Sequence, residues 1–327
     1  MKLYDKSSAQ KRMNELGAQG VPFIFVVDYD AAHAIVLPES EVDANELLYS
    51  FHGKGNAPAV KKRESIAVAW NPIPPSEADY QRSFEVVQNA IAAGSTTLVN
   101  LTCKIPIETN LSLRQIFDHA DALYRLWIKD TLVCFSPEMF IQIKDGEISS
   151  YPMKGTIDAT LPNAAERLLN NPKEMAEHAD VVELIKQDLR LVADNVRVER
   201  YRYIDTLVTN KGSLLETSSE IRGTLPSDYR NRLGDILFSQ LPAGSITGFP
   251  KSETVKIIAA AEGYERKFYT GVMGRWDGHS LDTGVLIRFI DQEGEQLYFK
   301  AGGGITGNSN WQAEYNEVIA KVYVPIR

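Results

Sequence analysis

The run Ser136-Pro-Glu-Met-Phe-Ile-Gln-Ile-Lys-Asp-Gly-Glu-Ile-Ser-Ser-Tyr-Pro-Met-Lys-Gly-Thr156 carries two strand-like arms on either side of Asp145-Gly146. An Asp-Gly pair supplies the positive φ values that a two-residue hairpin turn needs, so the arms read as antiparallel neighbours with Lys144 facing Glu147. A second pair, Asp277-Gly278, falls between the strand-like runs Lys267 to Trp276 and Leu281 to Ile290. Further strand signals are Ile24 to Asp28, Thr96 to Leu101, Thr131 to Lys144 and Gln296 to Ala301. Hairpins mean antiparallel sheet, and the regular β-α-β alternation of a doubly wound parallel sheet is missing. The expectation is an α+β fold with large antiparallel sheets and helices on their outsides.

Around these strands lie helix patterns. Glu77 to Ala93 follows an N-cap-like Ser76 and stops before Gly94. Leu111 to Trp127 is a second amphipathic candidate, and Asn163 to Asn195 reads as two helices broken at Asn171-Pro172, because proline disfavours helical geometry for the residue before it. No repeat, low-complexity tract or Gly/Ser linker divides the 327 residues, so one intertwined domain over 1–327 is expected. Lys+Arg 35 against Asp+Glu 43 gives a net charge of −8 with no long basic run, which disfavours a nucleic-acid partner. Two cysteines, Cys103 and Cys134, can build neither a disulfide framework nor a four-cysteine zinc site. No window approaches the roughly 18 apolar residues of a membrane span, and the first residues lack a signal-peptide core, so no membrane association and a cytoplasmic location are expected.

In the first hairpin, counting back along the ladder brings Glu138 opposite Met153 and so close to Lys154. Simple alternation points their side chains to opposite faces, so shared chemistry requires a bulge or break. Pro152, which cannot donate to a ladder, marks a place for one. An acid beside an amine suits acid-assisted departure of a hydroxyl and nucleophilic attack, provided the lysine loses its proton through burial or a neighbouring cation. The same spacing also fits a surface ion pair beside a turn.

Glu174 and Glu177, in Lys173-Glu-Met-Ala-Glu-His178, stand three apart, as do Glu314 and Glu317 in Ala313-Glu-Tyr-Asn-Glu-Val318. Each pair shares one helix face, and two such faces can hold a divalent cation through oxygen; magnesium suits them. Glu317 and Lys321 also have the i,i+4 spacing of an ordinary surface pair. Leu241-Pro-Ala-Gly-Ser-Ile-Thr-Gly-Phe-Pro-Lys251 precedes a helix expected over Ser252 to Ala261, whose free N–H groups are candidates for an anion. Gly302-Gly-Gly-Ile-Thr-Gly307 matches G-x-G-x-x-G, but no second strand or ribose-binding acid follows about 20 residues on, so it reads as a tight turn close to a ligand. Arg288, amid the apolar residues of Leu286-Ile-Arg-Phe-Ile290, either points to solvent or sits against an anion such as a carboxylate. The five histidines form no H-E-x-x-H motif, and His178 reads as a helical histidine near Glu177.

Taken together, these segments resemble the chorismate-utilising enzymes, in order from about Glu138 to Lys321. The resemblance implies two stacked antiparallel sheets flanked by helices. Within that family, aminodeoxychorismate synthases carry lysine before the glycine of the Tyr-Pro-Met-Lys-Gly-Thr156 segment and anthranilate synthases alanine, so Lys154 makes the chain similar to the former. Anthranilate or isochorismate synthase is the enzyme alternative, and a ligand-binding or partner-regulating protein that retains the chorismate pocket is the non-enzyme one. By resemblance, Lys154 attacks ring carbon 2 of chorismate while Glu138 protonates the departing 4-hydroxyl, and ammonia enters at carbon 4 and expels the lysine. The product is 4-amino-4-deoxychorismate, for 4-aminobenzoate and folate synthesis. The implied magnesium ligands are Glu177 and Glu317, with Glu174 and Glu314 acting directly or through water. Tyr269, Arg288 and the backbone of Gly302, Gly303 and Gly304 are implied to hold the enolpyruvyl carboxylate, and Thr156, Gly244, Ser245 and Lys321 to line the substrate site. Ammonia is expected from a separate glutamine amidotransferase, since the chain has no room for a fused one. The family's usual histidine before the Leu-Val strand corresponds to Thr206, and the region before Glu138 is short.

Overall fold

The computed structural model describes residues 1–58, 66–209 and 212–326 and contains two antiparallel sheets. The first has ten strands. Tyr4–Asp5, His33–Pro38, Phe23–Val27, Val272–Trp276, Leu281–Val285, Met139–Lys144, Glu147–Ser150, Gly212–Thr224 and Met153–Asp158 follow one another, and Asp194–Thr209 also pairs with Gly212–Thr224. The second has nine. Gly248–Phe249, Leu98–Thr109, Gln296–Thr306, Phe289–Glu293, Leu132–Ser136, Tyr124–Ile128, Leu47–Phe51 and Lys54–Gly55 run in that order, with Trp70–Pro72 beside Leu98–Thr109.

The strand Phe23-Ile-Phe-Val-Val27 shows how the layers stack. Phe23, Phe25 and Val27 pack with Met13, Leu233 and Leu237 from helices on the outside of the first sheet. Ile24 and Val26 face the other way and meet Leu47, Leu126 and Leu132 of the second sheet. A strand covered on both faces is apolar throughout instead of alternating. The outer face of the second sheet, with Leu101, Phe135 and Phe299, is covered by Phe84, Ile258 and Val318 from the helices Glu77–Ala92, Lys251–Glu262 and Trp311–Ala320. Among the described residues no helix is long and apolar enough to cross a membrane.

Ser76 caps Glu77–Ala92 as expected, accepting from Asp79 N, and Pro172 opens the helix Pro172–Leu189 after Ala164–Leu169. Leu111 to Trp127 is not one helix. A capping box at Ser112 starts Leu113–His119, and Tyr124–Ile128 is a buried strand between Leu47–Phe51 and Leu132–Ser136. Full burial gives that strand no polar alternation, so its apolar residues continue the helical count by coincidence. Lys267 to Trp276 is a strand only over Val272–Trp276, after turns with positive φ at Lys267 and Thr270.

The runs Thr131 to Lys144 and Leu281 to Ile290, each expected as one strand, both break and change sheet. Leu132–Ser136 lies in the second sheet and Met139–Lys144 in the first; Leu281–Val285 lies in the first and Phe289–Glu293 in the second. The two crossings are neighbours: Phe135 N donates to Arg288 O at 3.0 Å, and Val285 N to Glu138 O at 3.1 Å. Arg288 takes a left-handed φ of 51°, which turns the chain between the layers. Glu138 and Arg288 therefore stand together where the two sheets are stitched.

Candidate active site

The hairpin turn has the expected geometry. Asp145 and Gly146 have φ of 52° and 81°, and Lys144 pairs with Glu147. The ladder then ends at Ile141 and Ser150, so Glu138 does not come to stand opposite Met153 as counted from the sequence. The chain leaves at Tyr151-Pro152, and Met153–Asp158 pairs instead with Gly212–Thr224. There the register slips: Lys154 faces Thr217 and Thr156 faces Glu216, leaving Gly155 as an extra residue with φ 74°. A Cβ on Gly155 would lie 2.6 Å from Glu174 Oε2, so the bulge requires glycine and brings the backbone against the acidic helix. Despite the failed count, Lys154 lies within electrostatic range of Glu138. Thr217 Oγ1 donates to the Lys154 carbonyl, and Thr156 beyond the bulge is exposed.

Glu138 has the environment of an acid. Its N–H donates to Ser136 Oγ at 3.1 Å, and Ser245 Oγ donates to Glu138 Oε1 at 3.0 Å. Desolvation pushes its pKa above the usual carboxylate range, while the Ser245 hydrogen bond and the charges of Lys154, Arg288 and Lys321 pull it back. Gly244–Ile246 is a single tight turn, and a Cβ on Gly244 would meet Leu184 Cδ2 at 2.8 Å. The segment expected as an anion cradle thus supplies a hydroxyl to Glu138. Lys251, at the start of its following helix, pairs with Asp188 at 2.7 Å.

Gly302, Gly303 and Gly304 lie within the strand Gln296–Thr306, paired with Thr102, Leu101 and Asn100, and are not a turn. Gly303 and Gly304 leave space beside the strand. A Cβ on Gly304 would lie 3.5 Å from Lys154 Nζ, and one on Gly303 would lie 3.5 Å from Glu314 Oε2, 3.7 Å from Lys321 Nζ and 3.9 Å from Glu317 Oε1. Lys321 Nζ holds Gly302 O at 2.8 Å and Glu317 Oε1 at 2.7 Å, so the i,i+4 pair forms and is tied to the bare strand. From the other side, Glu177 and Lys154 line one cavity of about 320 Å³ with Leu98, Thr306 and Phe249. This is the size of a small-molecule pocket. Both acidic helices therefore border the surroundings of Lys154. Among the described residues no three His, Cys, Asp or Glu side chains form a ready-made metal cluster. Carboxylate oxygens are nonetheless the donors magnesium takes, and it commonly uses one or two of them with water and substrate completing the shell, so these helix faces fit it.

Arg288 is half-buried, and among the described residues no carboxylate forms a salt bridge with it. Its guanidinium lies 5.5 Å from the Tyr323 ring centre, and Nε is enclosed with no hydrogen-bond partner, a donor available to a ligand carboxylate. Tyr269 is buried, its ring 5.7 Å from Phe289, within electrostatic range of Arg288. His178 is fully buried, with Ser219 Oγ 2.6 Å from Nε2. Burial, with Arg202 and Lys154 nearby, lowers its pKa to about 4, so it is a neutral packed residue. Thr206 is exposed on the outer strand of the Asp194–Thr224 hairpin.

Glu216 was missed. It is buried on that hairpin's inner strand, and its pKa rises to about 7 through desolvation and then the nearby charges of Glu138 and Asp205, against Arg288. A lone carboxylate between Leu215 and Thr217 was the available signal.

Residues 23–327 match the pattern of the chorismate binding enzyme family. An uncharacterized PabA-like protein of Haemophilus influenzae is 44% identical over 97% of this chain and 96% of its own length. Aminodeoxychorismate synthase component 1 of Salmonella typhimurium is 30% identical over 76% of this chain, which covers 56% of that enzyme. The solved menaquinone-specific isochorismate synthase MenF of Escherichia coli superimposes with a TM-score of 0.76 over 98% of this chain and 82% of that one at 16% identity, a likeness of fold. The match across nearly the whole length agrees with the stacked sheets, and the chain belongs to the chorismate binding enzymes.

Proposed function

We infer that the protein converts chorismate and ammonia to 4-amino-4-deoxychorismate through a covalent adduct on Lys154. The observation that carries this reading is that Lys154 lies within electrostatic range of Glu138, whose acidity is weakened by desolvation, beside a strand kept bare by glycine. Lys154, once its ammonium group has given a proton to water, bonds through Nζ to ring carbon 2, the ring double bonds shift, and the 4-hydroxyl takes the Glu138 proton and leaves as water. Ammonia then bonds to carbon 4, the double bonds shift back, and the carbon 2 to Nζ bond breaks, freeing the lysine. The unpartnered Arg288 Nε orients the substrate through a carboxylate. Magnesium is part of the proposal, with Glu177 and Glu317 as ligands and Glu174 and Glu314 in support, and it would supply Lewis-acid and orienting charge. Ammonia would come from a separate glutamine amidotransferase, and the product would serve 4-aminobenzoate and folate synthesis.

Mass analysis of the product from chorismate, magnesium and ammonium tests this. An aminated, non-aromatic product that retains the enolpyruvyl group and is lost in Lys154→Ala supports it. A hydroxylated or aromatised product, or equal turnover by Lys154→Ala, contradicts it.

A further inference from the structure

The scheme above leaves the buried carboxyl of Glu216 unused. Glu216 lies on the strand Gly212–Thr224 opposite Thr156, next to Thr217, whose hydroxyl holds the Lys154 carbonyl. It is 9% exposed, and its Oε2 is enclosed with no hydrogen-bond partner. The charged groups that act on it are Glu138 at one crossing between the sheets, Arg288 at the other, and Asp205 on the adjoining strand. Arg288 Nε is an enclosed donor without a partner and Glu216 Oε2 an enclosed acceptor without one. Buried polar atoms are nearly always satisfied, so two open ones on groups within electrostatic range of Glu138 point to groups on a ligand. Arginine suits a carboxylate; the open carboxylate oxygen suits an N–H or O–H.

We propose that Glu216 is a second acid–base residue of this site, whose carboxylate accepts an N–H of the incoming ammonia and takes the proton shed as the C–N bond forms. This rests on the amination reading. Because Glu138 must reach the 4-hydroxyl, a carboxyl beside it stands near the same ring carbon. The protons balance. Glu138 gives one to the hydroxyl, which departs as water. The nitrogen bonds to carbon 4 as a positively charged ammonium group and gives one proton to Glu216. Glu216 passes it to Glu138, restoring both groups with no further reactant. Two neighbouring carboxyls retain a proton that either alone would release, which agrees with both being harder to ionise than usual, chiefly through desolvation.

Wild type, Glu216→Gln and Glu216→Asp are compared with chorismate, magnesium and saturating ammonium across neutral pH. Glu216→Gln is expected to bind chorismate as wild type does, to lose about 100-fold in kcat and to lack the limb of the profile that rises near pH 7, with Glu216→Asp recovering part of the rate. Wild-type kcat and an unchanged limb in Glu216→Gln overturn the proposal. A second measurement does not depend on the product formed. Calorimetry of chorismate binding in two buffers of different ionisation enthalpy should show proton uptake by wild type near pH 7, because the dianion favours a single proton retained by the pair over its loss, and reduced uptake by Glu216→Gln. Equal uptake by both refutes the proton-sharing pair whatever reaction is catalysed. Absence of an aminated product from wild type instead refutes the amination reading, and with it the role toward ammonia.

Discussion

In the proposed scheme Lys154 and Glu138 act from a bulge and from a crossing between sheets. Ser245 shows how finely the acid is set, because its hydroxyl hydrogen-bonds the ionised form of Glu138 and so counteracts desolvation. Ser245→Ala should raise the Glu138 pKa further. A general acid works only while protonated, so the activity limb that falls with rising pH should move to higher pH in this variant. A profile of kcat against pH checks this, and a limb that stays in place or moves down contradicts the assignment of Glu138 as the acid. The residues of the proposed scheme, Lys154, Glu138, Arg288 and the acidic helix pairs, were all singled out from the sequence. The route by which Lys154 and Glu138 meet was not legible. Ladder counting assumes an unbroken hairpin, whereas Tyr151-Pro152 ends it and Gly155 shifts the register of the next strand.

At the scale of elements, the strand Gln296–Thr306 tests whether its glycines are bare for the ligand or for the fold. A Cβ on Gly302 would meet Thr102 Cγ2 at 2.4 Å and Leu101 O at 2.5 Å, whereas Gly303 and Gly304 have room at ordinary or slightly tight contact distances. Gly302→Ala should therefore cost about 1–3 kcal/mol of stability through overpacking. Gly303→Ala should leave the unfolding midpoint near wild type, and Gly304→Ala, 3.5 Å from Lys154 Nζ, should raise the chorismate KM more than it lowers stability. Urea denaturation beside steady-state kinetics separates the cases; equal destabilisation by all three would make the glycines purely structural. The broken strands were illegible at this scale for a physical reason. Near-continuous apolar runs flank Glu138 and Arg288 because strands of both sheets are covered on both faces, so hydrophobicity gives no sign that the chain changes layer. The Asp194–Thr224 hairpin was overlooked because its charged residues mask the alternation, and Glu216 went with it.

Across the whole molecule, a net charge of −8 is set against a local group of cations. Lys154, Arg288 and Lys321 all act on Glu138, which places positive charge where a dianionic substrate would bind. Elsewhere the fold buries charge for structure. Lys300 is fully enclosed, bonded to Asp291 at 2.7 Å and to Arg266 O at 3.1 Å. Lys300→Met would strand Asp291, whose Oδ1 already lacks a partner, and should cost about 3–5 kcal/mol in urea denaturation. Adding Asp291→Leu should recover part of that loss; a single variant as stable as wild type would contradict this account of the core. The most direct measurement on the amination scheme is intact-protein mass spectrometry after mixing with chorismate and magnesium without ammonia, followed by peptide mapping. The expected result is a gain equal to chorismate less one water, on the peptide containing Lys154, and no gain in Lys154→Arg, whose guanidinium does not give up its proton. Aminated product formed by wild type with no such adduct, or an adduct on another residue, would contradict it.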